Sequence, residues 1–265
     1  MLRRAALLLL ALIACHPAAE PAVIRAPDAG PGLDDAAIRA IVEDPARPPA
    51  ERELDAGRRP EELLRFLALR PGMRLADLGA GRGYTTFLLA RAVGPDGVVY
   101  AQNNKFVTTR FVEPAWTERL ATPELRNVVR VDREFDDPLP SEARELDGVI
   151  NVLFYHDTFW MGTDRARMNQ AIFAALRPGG FYVIVDHSAR AGAGAGEAES
   201  LHRVEESTVV DEVLQAGFER AGSAEFLRNP DDPRDWNAAP TAAAAAGKRG
   251  TADRFVVRFV KPAAP

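Results

Sequence analysis

The stretch "MRLADLGAGRGYTT" (residues 73–86) joins an apolar strand pattern to a glycine-rich turn. Asp77 ends the apolar run, and glycines follow at positions 79, 81 and 83. Glycine permits positive φ and lets a ligand approach the backbone, and a helix that begins near Tyr84 would direct its first N–H groups at that ligand. The dinucleotide pattern G-x-G-x-x-G would need its third glycine at position 84. The stretch therefore predicts a cradle for a nucleotide-like cofactor other than a nicotinamide dinucleotide.

The composition is that of a chain that can build a hydrophobic core. The 265 residues are 47% hydrophobic and 27% charged, which excludes broad disorder and suits one α/β domain with extensions. The formal net charge is −5, and there is no long basic run. Because phosphate binding needs clustered Lys and Arg, nucleic acid is not expected to be the main partner.

The N-terminus carries the pattern of an export signal. Arg3 and Arg4 precede ten apolar residues, 5–14, which are too few for the roughly 20 that span a membrane. The sequence "LIAC" ends at Cys15, the only cysteine of the chain, and resembles the signal of bacterial lipoproteins. That resemblance implies cleavage before Cys15 and a lipid anchor at the periplasmic face of a bacterial membrane. An ordinary signal peptide, which would leave the protein in the soluble periplasm, is the alternative.

The rest of the chain divides by pattern into three parts. Residues 15–33 are rich in Pro and Ala and predict a flexible tether, residues 34–72 predict a helical segment, and residues 73–265 alternate between strand and helix patterns. Alternation of this kind predicts a mostly parallel sheet, and the last two strands, joined without a helix, predict an antiparallel pair. The predicted strands are 73–78, 97–102, 127–132, 146–154, 180–186, 219–227 and 253–260, and the predicted helices within this part are 84–93, 108–120, 163–176 and 202–218.

The glycine-rich stretch resembles motif I of the class I S-adenosylmethionine-dependent methyltransferases. "LDGVINVLFYHD" (146–157) and "LRPGGFYVIVDH" (176–187) are similar to the fourth strand and the helix-to-fifth-strand turn of that family. The likeness extends over residues 60–262 and is closer still to exported bacterial members with lipoprotein-type signals. It implies a Rossmann-like α/β fold, with a seven-stranded, mostly parallel sheet, an antiparallel last strand and helices on both faces. It also implies S-adenosylmethionine as cofactor and methyl transfer to an unidentified small-molecule acceptor.

The same resemblance assigns the cofactor-binding positions. The family usually ends its second strand in an acid that binds the ribose hydroxyls, whereas this chain has Asn103, which lacks the strength of a charge-assisted bond. Glu134 falls near the place where an acid would meet the adenine amine, with Asp132 as the alternative. The full set comprises Asp77, Gly79, Ala80, Gly81, Gly83, Tyr84, Asn103, Glu134 and Asn151.

Three histidines follow strands or precede the next helix at the edge where ligands of parallel sheets lie. His156 and His187 titrate near neutrality and are candidate catalytic bases. Asp157 joins them in the predicted catalytic set, and Asp157 or Asp186 would orient a histidine. A metal site is the alternative, but no H-x-x-x-H spacing supports it, and capping of strand ends is a third explanation. His202 is expected to form an exposed pair with Glu206, four residues on.

Other functions remain open alongside methyl transfer. An exported binding or sensor module that keeps the cofactor pocket is favoured by Asn103 and by the export signal, whereas the intact glycine motif favours the enzyme. A metal-assisted hydrolase on the same fold is a third possibility. "TFWMG" (158–162) is a candidate wall of an acceptor pocket, and residues 228–237 are either a lid or an ordered, turn-rich loop.

Overall fold

A computed structural model describes residues 32–263, so the predicted signal peptide, Cys15 and nearly all of the predicted tether lie outside the described residues. The strands of this part form one seven-stranded sheet in the order β3-β2-β1-β4-β5-β7-β6, in which β7 runs in the direction opposite to the other strands. This confirms the predicted sheet and its antiparallel last pair. The strands are β1 (Arg74–Leu78), β2 (Val98–Asn103), β3 (Val128–Asp132), β4 (Leu146–Val152), β5 (Leu176–His187), β6 (Glu219–Ala224) and β7 (Arg254–Val260).

Four helices precede β1, and the others lie between the strands. They are α1 (Asp35–Val42), α2 (Pro49–Arg52), α3 (Asp55–Arg58), α4 (Pro60–Leu67), α5 (Tyr84–Val93), α6 (Lys105–Val107), α7 (Ala115–Leu120), α8 (Asp157–Trp160), α9 (Arg165–Ala175), α10 (Ala198–Leu201), α11 (Glu206–Gln215) and α12 (Pro240–Ala245). A π-helical turn spans Thr108–Val112 and a 3₁₀ turn spans Pro123–Leu125. Within these residues, no helix is both long enough and apolar enough to cross a membrane.

Two predicted helices differ from the structure for local reasons. The predicted helix 108–120 is divided into the π-helical turn and α7, because Pro114 between them has no N–H to continue the hydrogen-bond ladder. The predicted helix 202–218 begins only at Glu206, because His202 has left-handed backbone angles (φ 51°, ψ 50°) that end α10. Residues 202–205 are therefore a connection at the carboxyl edge of the sheet.

Alternate residues of the central strands face opposite sides of the sheet, and each side is covered by helices. Val149 and Tyr182 belong to one apolar cluster, which the helices α7, α9 and α11 complete, whereas Ile150 and Val183 belong to a second cluster that α1, α4 and α5 complete. The predicted helices on both faces are confirmed. The helical segment at residues 34–72 shares its core with the sheet, which brings it close to the end of β1.

Candidate functional site

The glycine turn after β1 is shaped by its neighbours at two positions and open at the third. Gly79, Gly81 and Gly83 have φ of +65°, +57° and +86°, a region that L-residues adopt at a cost. A Cβ on Gly79 would lie 2.4 Å from the ring of Phe154, and a Cβ on Gly83 would lie 2.5 Å from the ring of Trp116. A Cβ on Gly81 would meet no atom of residues 32–263 within 4 Å. The turn is therefore packed from behind and presents the backbone at Gly81 to open space.

The last two residues of β2 hold this turn in place. The Gln102 side-chain oxygen accepts from the Gly79 N–H (3.2 Å), and its carbonyl accepts from the Ala80 N–H (2.9 Å). The Asn103 carboxamide accepts from the Gly81 N–H (2.9 Å) and donates to the Gly81 carbonyl (3.0 Å). Both side chains are fully buried. Sequence analysis overlooked Gln102, although an amide within an apolar strand was a usable signal.

Asp77 joins β1 to the first turn of α5. Its carboxylate accepts a hydrogen bond from the Thr86 hydroxyl at 2.6 Å, and the side chain is 2% exposed. Burial raises the pKa of Asp77 to about 7, against the opposing effects of the Thr86 hydrogen bond and the Arg58 charge. The structure thus places the Asp77 side chain behind the glycine turn, bonded to the helix that follows the turn.

Tyr84 brings the amino-terminal helical segment to the site. Its hydroxyl donates to Asp55 at 2.6 Å, and Asp55 also accepts two hydrogen bonds from Arg47, at 2.6 and 2.7 Å. The guanidinium carbon of Arg58 lies 4.3 Å from the centre of the Tyr84 ring. Sequence analysis placed Tyr84 in the cofactor set but did not foresee these partners, since they come from residues 26 to 37 positions earlier in the chain.

The other two predicted cofactor residues lie on either side of the turn. Glu134, after β3, is exposed and accepts a hydrogen bond from the Asn104 amide at 3.1 Å. Asn151, in β4, is fully buried beside Leu78, where the glycine turn begins. Neither polar atom of the Asn151 side chain has a hydrogen-bond partner among the described residues. Buried polar groups are usually satisfied, and the polar neighbour of Asn151 on the adjacent strand is the Tyr182 hydroxyl, whose pKa burial raises and the Asn151 amide lowers.

Phe154 links the glycine turn to the residues that follow β4. Its ring packs against Gly79 and stacks on Phe135 with centroids 4.5 Å apart. His156 comes two residues later, so the segment 154–156 contacts the glycine turn with one side chain and the histidine cluster with another.

The histidine cluster consists of His156, Asp157 and His202, and Asp186 supports it from behind. The Nδ1 of His156 lies 2.7 Å from an Asp186 oxygen. The Nε2 of His156, the Nδ1 of His202 and one Asp157 oxygen lie 3.2 Å from one another in every pairing. His202 was expected at this edge of the sheet, but its contacts with His156 and Asp157 were not predicted. The predicted His202–Glu206 pair is wrong, because Glu206 begins α11 and instead accepts from Arg220 and Arg228.

The two predicted catalytic histidines have opposite electrostatic environments. Burial alone would lower the pKa of His156, but the charge of Asp186 and hydrogen bonds to Asp157 and Asp186 outweigh it and raise that pKa to about 10. Burial lowers the pKa of His187, and the positive charge of His156 lowers it further. The Nδ1 of His187 donates to the His202 carbonyl at 3.2 Å. His187 is thus a neutral group that supports the backbone of His202.

Aromatic side chains extend from the glycine turn to the histidine cluster. Trp160 donates its Nε1–H to Asp157 at 2.8 Å, and its ring lies 6.1 Å from that of Phe106. Phe106 and Phe111 are 44% and 53% exposed and contact each other edge to face. Arg82, within the glycine turn, donates to the Phe111 carbonyl at 2.9 and 3.0 Å. Together, Phe106, Phe111 and Trp160 form what we call the aromatic strip.

The loop 228–237 is held by a buried salt bridge and by hydrogen bonds of Asp232. Asp232 forms a salt bridge of 2.8 Å with Arg203, and both side chains are almost fully buried. Asp232 also accepts from the Trp236 indole and from the Asp253 N–H. Beside this loop, a cavity of about 740 Å³ is lined by residues that include Glu206, Arg228 and Arg234. It lies at the β6–β7 side and contains no residue of the glycine turn or of the histidine cluster.

Comparisons with known proteins agree with this geometry. The sequence profile of the protein-L-isoaspartate(D-aspartate) O-methyltransferase family matches residues 60–119. The arsenite methyltransferase of Halobacterium salinarum is 30% identical over 122 residues, which are 46% of this chain and 29% of that protein. The ribosomal RNA large subunit methyltransferase E of Syntrophobacter fumaroxidans is 31% identical over 128 residues, which are 45% of this chain and 60% of that protein. The chain thus spans less than two thirds of either relative.

Among solved structures, a SAM-dependent methyltransferase from Aquifex aeolicus superposes with a TM-score of 0.54. The match covers 86% of this chain and 99% of the other, at 19% identity. Strand order, the antiparallel β7 and this likeness show that the chain has the Rossmann-like fold of class I methyltransferases. The family-profile match, which covers the glycine turn and β2, supports the same class.

Proposed function

We propose that this protein is an S-adenosylmethionine-dependent methyltransferase that acts on a small molecule. The observation that carries the proposal is the segment 154–156. Phe154 packs on Gly79 of the cofactor cradle, and His156 belongs to a cluster that can hold a proton. Cofactor cradle and acid–base cluster therefore share one edge of the sheet, the edge at which ligands of such sheets bind.

The residues of the glycine turn fit the cofactor. Gly81 offers an open backbone, and α5 begins beside it without a side-chain cap on its first N–H groups. Because the Asn103 carboxamide is bonded to Gly81, the end of β2 offers no carboxylate to a ribose, and Glu134 is the exposed acid at the end of the neighbouring strand. We expect cofactor affinity to be lower than an acid at position 103 would give.

The cofactor supplies a methyl group that is already activated on a sulfonium. The chain then has to align the acceptor and, for an acceptor that loses a proton, to take that proton up. The aromatic strip offers an apolar surface for the acceptor between the two halves of the site. The net charge of −5 favours a small molecule over RNA, although one sequence relative is named as a ribosomal RNA methyltransferase.

Calorimetric titration of the purified protein with S-adenosylmethionine tests the cradle. We expect saturable binding that Gly81→Ala weakens at least tenfold, because the new methyl group would enter the open side of the turn. Gly72→Ala is the matched control, since Gly72 also has positive φ (+82°) and open space around it but precedes β1 at the opposite edge of the sheet. Absence of binding at millimolar cofactor, or equal loss in both variants, would contradict the proposal.

A second candidate function, a binding module without turnover, is favoured by one observation. Both polar atoms of Asn103 are engaged by the turn itself, so the usual carboxylate contact is missing. Formation of S-adenosylhomocysteine with arsenite, small thiols, phenols or RNA distinguishes the two. Turnover with a small acceptor supports the enzyme, whereas cofactor binding with no turnover on any of these supports the module.

We further propose that the protein is exported and anchored through Cys15. The support is the sequence of residues 1–15, in which two arginines, ten apolar residues and "LIAC" occur in the order of a lipoprotein signal. A lipid anchor would hold the domain at a membrane surface while the residues after Cys15 act as the tether.

A further inference from the structure

Three potential metal-ligand atoms converge in the histidine cluster. The Nε2 of His156, the Nδ1 of His202 and one oxygen of Asp157 form a triangle with sides of 3.2 Å. In a tetrahedral zinc site with bonds of about 2.0–2.1 Å, ligand atoms lie about 1.6 bond lengths apart, which is ~3.3 Å. We propose that His156, Asp157 and His202 form a binding site for a zinc-type divalent metal ion. This goes beyond the proposed methyl transfer and does not depend on it.

Asp186 provides the support that a ligating histidine needs. Its carboxylate is completely buried, lies 2.7 Å from His156 Nδ1 and accepts the backbone N–H groups of His156 and His187. A proton held between Asp186 and Nδ1 leaves the lone pair of Nε2 directed at the centre of the triangle. A carboxylate–histidine–metal arrangement of this kind fixes the tautomer and orients the ring. The Asp157 ligand oxygen is oriented in the same way by the Trp160 indole.

A hydrogen-bond network accounts for the triangle less well. With one His156 proton directed at Asp186, the two facing nitrogen atoms and the Asp157 oxygen are held together either by protons on the nitrogen atoms or by one shared metal ion. A charge-assisted N–H···O bond is about 2.7–2.9 Å long, as the His156–Asp186 contact is. The three contacts of the triangle are equal and longer. Equal distances between the three ligand atoms are expected when each atom lies at the same bond length from one metal ion.

His202 is delivered to the triangle by a backbone conformation that is uncommon outside glycine. Its φ of 51° and ψ of 50° end α10, and the following residue, Arg203, is held by the buried Asp232. Backbone strain of this kind persists where surrounding contacts impose it, and it is concentrated at functional sites. His187 supports the same residue through its bond to the His202 carbonyl.

The neighbouring group of His156, Asp186 and His187 is a weaker candidate. Asp186 is engaged by His156 Nδ1 and by two backbone N–H groups, and the Nδ1 of His187 is engaged by the His202 carbonyl. By contrast, the His156–Asp157–His202 triangle is half-open, since His202 and Asp157 keep 24% and 15% side-chain exposure. Three protein ligands leave a fourth position, as in catalytic zinc sites, for water or for an oxygen or sulfur atom of an acceptor.

The test uses the full-length protein, stripped of metal with a chelator and titrated with Zn²⁺ against a chromophoric competitor, without S-adenosylmethionine. We expect one equivalent to bind. His202→Asn, which retains a residue that tolerates left-handed angles, and Asp157→Asn should each weaken binding at least tenfold. Asp186→Asn should weaken it 10- to 100-fold, as loss of an outer-shell partner does. Glu199→Gln, which changes an exposed carboxylate on α10, is the control, and its affinity should stay within about threefold of the wild type.

Two results would overturn the site. One is a wild-type protein that retains no zinc at micromolar free metal, and the other is equal affinity in the wild type and His202→Asn. Circular dichroism of the metal-free variants checks that they are folded. If a variant does not fold, Co²⁺ is added to the wild-type protein instead. A tetrahedral site gives bound Co²⁺ an intense visible absorption, and a protein without that absorption contradicts the proposal. Cofactor binding is measured separately, so either proposal can fail alone.

Discussion

At the scale of single residues, burial gives Asp77 a different role from the one that its position in the glycine motif predicts. By its place in the sequence, Asp77 was a candidate ligand of the cofactor. The structure places the side chain in the interior, bonded to Thr86, and the pKa of Asp77 rises to about 7. The carboxyl group therefore connects a strand to a helix, and it loses its proton only as the pH approaches 7.

This pKa predicts how stability depends on pH. The ordinary value is 3.8, so between about pH 4 and pH 7 the folded protein holds a proton on Asp77 that the unfolded chain releases. The free energy of unfolding should fall across this range, by up to about 4 kcal/mol. Asp77→Asn keeps an acceptor for Thr86 and should lose this part of the slope. Urea unfolding at pH 4, 5.5 and 7.5 measures it.

The control for this prediction is Asp96→Asn, which changes an exposed aspartate in the turn before β2. Its unfolding free energy should follow that of the wild type at every pH. If Asp77→Asn also follows the wild type, the Asp77 carboxyl is not the source of the pH dependence.

At the scale of elements, the amino-terminal helices are joined to the glycine turn by a buried network. Arg47 is completely buried and donates two hydrogen bonds to Asp55, which also accepts from Tyr84 at the start of α5. Arg119 of α7 pairs with Glu51 of α2. The segment α2–α3 is thus attached to both helices that flank the turn, and it belongs to the site although it precedes the sheet in the chain.

We expect Asp55→Ala to be among the more destabilising single changes in this segment. It leaves the Arg47 guanidinium buried without its partner, which costs about 3–5 kcal/mol for fully buried pairs; Asp55 is 22% exposed, so the lower end applies. Glu62→Ala is the matched control, since it removes the partner of the exposed Arg59 and should cost about 0–1 kcal/mol. Urea denaturation measures both changes, and equal costs would show that the Arg47–Asp55 pair does not hold the segment.

At the scale of the whole molecule, the chain combines the fold of class I methyltransferases with an N-terminal sequence that we propose is an export signal. The fold is that of class I methyltransferases, whereas residues 1–15 have the order of a lipoprotein signal and lie outside the described residues. If both interpretations hold, S-adenosylmethionine or a related adenosyl compound must reach the compartment in which the domain works. Location and cofactor supply are therefore linked questions for this protein.

The proposed anchor at Cys15 can be tested without knowing the methyl acceptor. Full-length protein expressed in a Gram-negative host should incorporate radiolabelled palmitate and sediment with membranes. Cys15→Ser should abolish the label and delay cleavage, because no other cysteine can take the lipid. Ala18→Ser, three residues further along, should behave as the wild type does. An unlabelled wild-type protein that is cleaved and soluble would instead indicate an ordinary signal peptide.

Much of the fold was predictable because its signals are local. Each signal lies within a stretch of about ten residues: the alternation of apolar residues, the glycines after β1, and the "RPGG" that ends a helix. These signals predicted all seven strands within a few positions. The helix α5 was predicted at its observed bounds, 84–93. Pro114 and the left-handed His202 shortened two other helices, because single residues override a periodic pattern.

The sequence by itself determined the order of strands and helices, the glycine turn and the export pattern. Only the tertiary structure decided which side chains meet: His202 with His156 across 46 positions, Asn103 with Gly81, and Asp55 with Tyr84. The physical reason is the range of the interactions. Backbone preferences and apolar periodicity act between near neighbours, whereas a cluster of ligand atoms depends on how loops end at one edge of the sheet. The strand and helix patterns predicted one histidine in each of three loops. The packing of those loops brought His156 and His202 against Asp157.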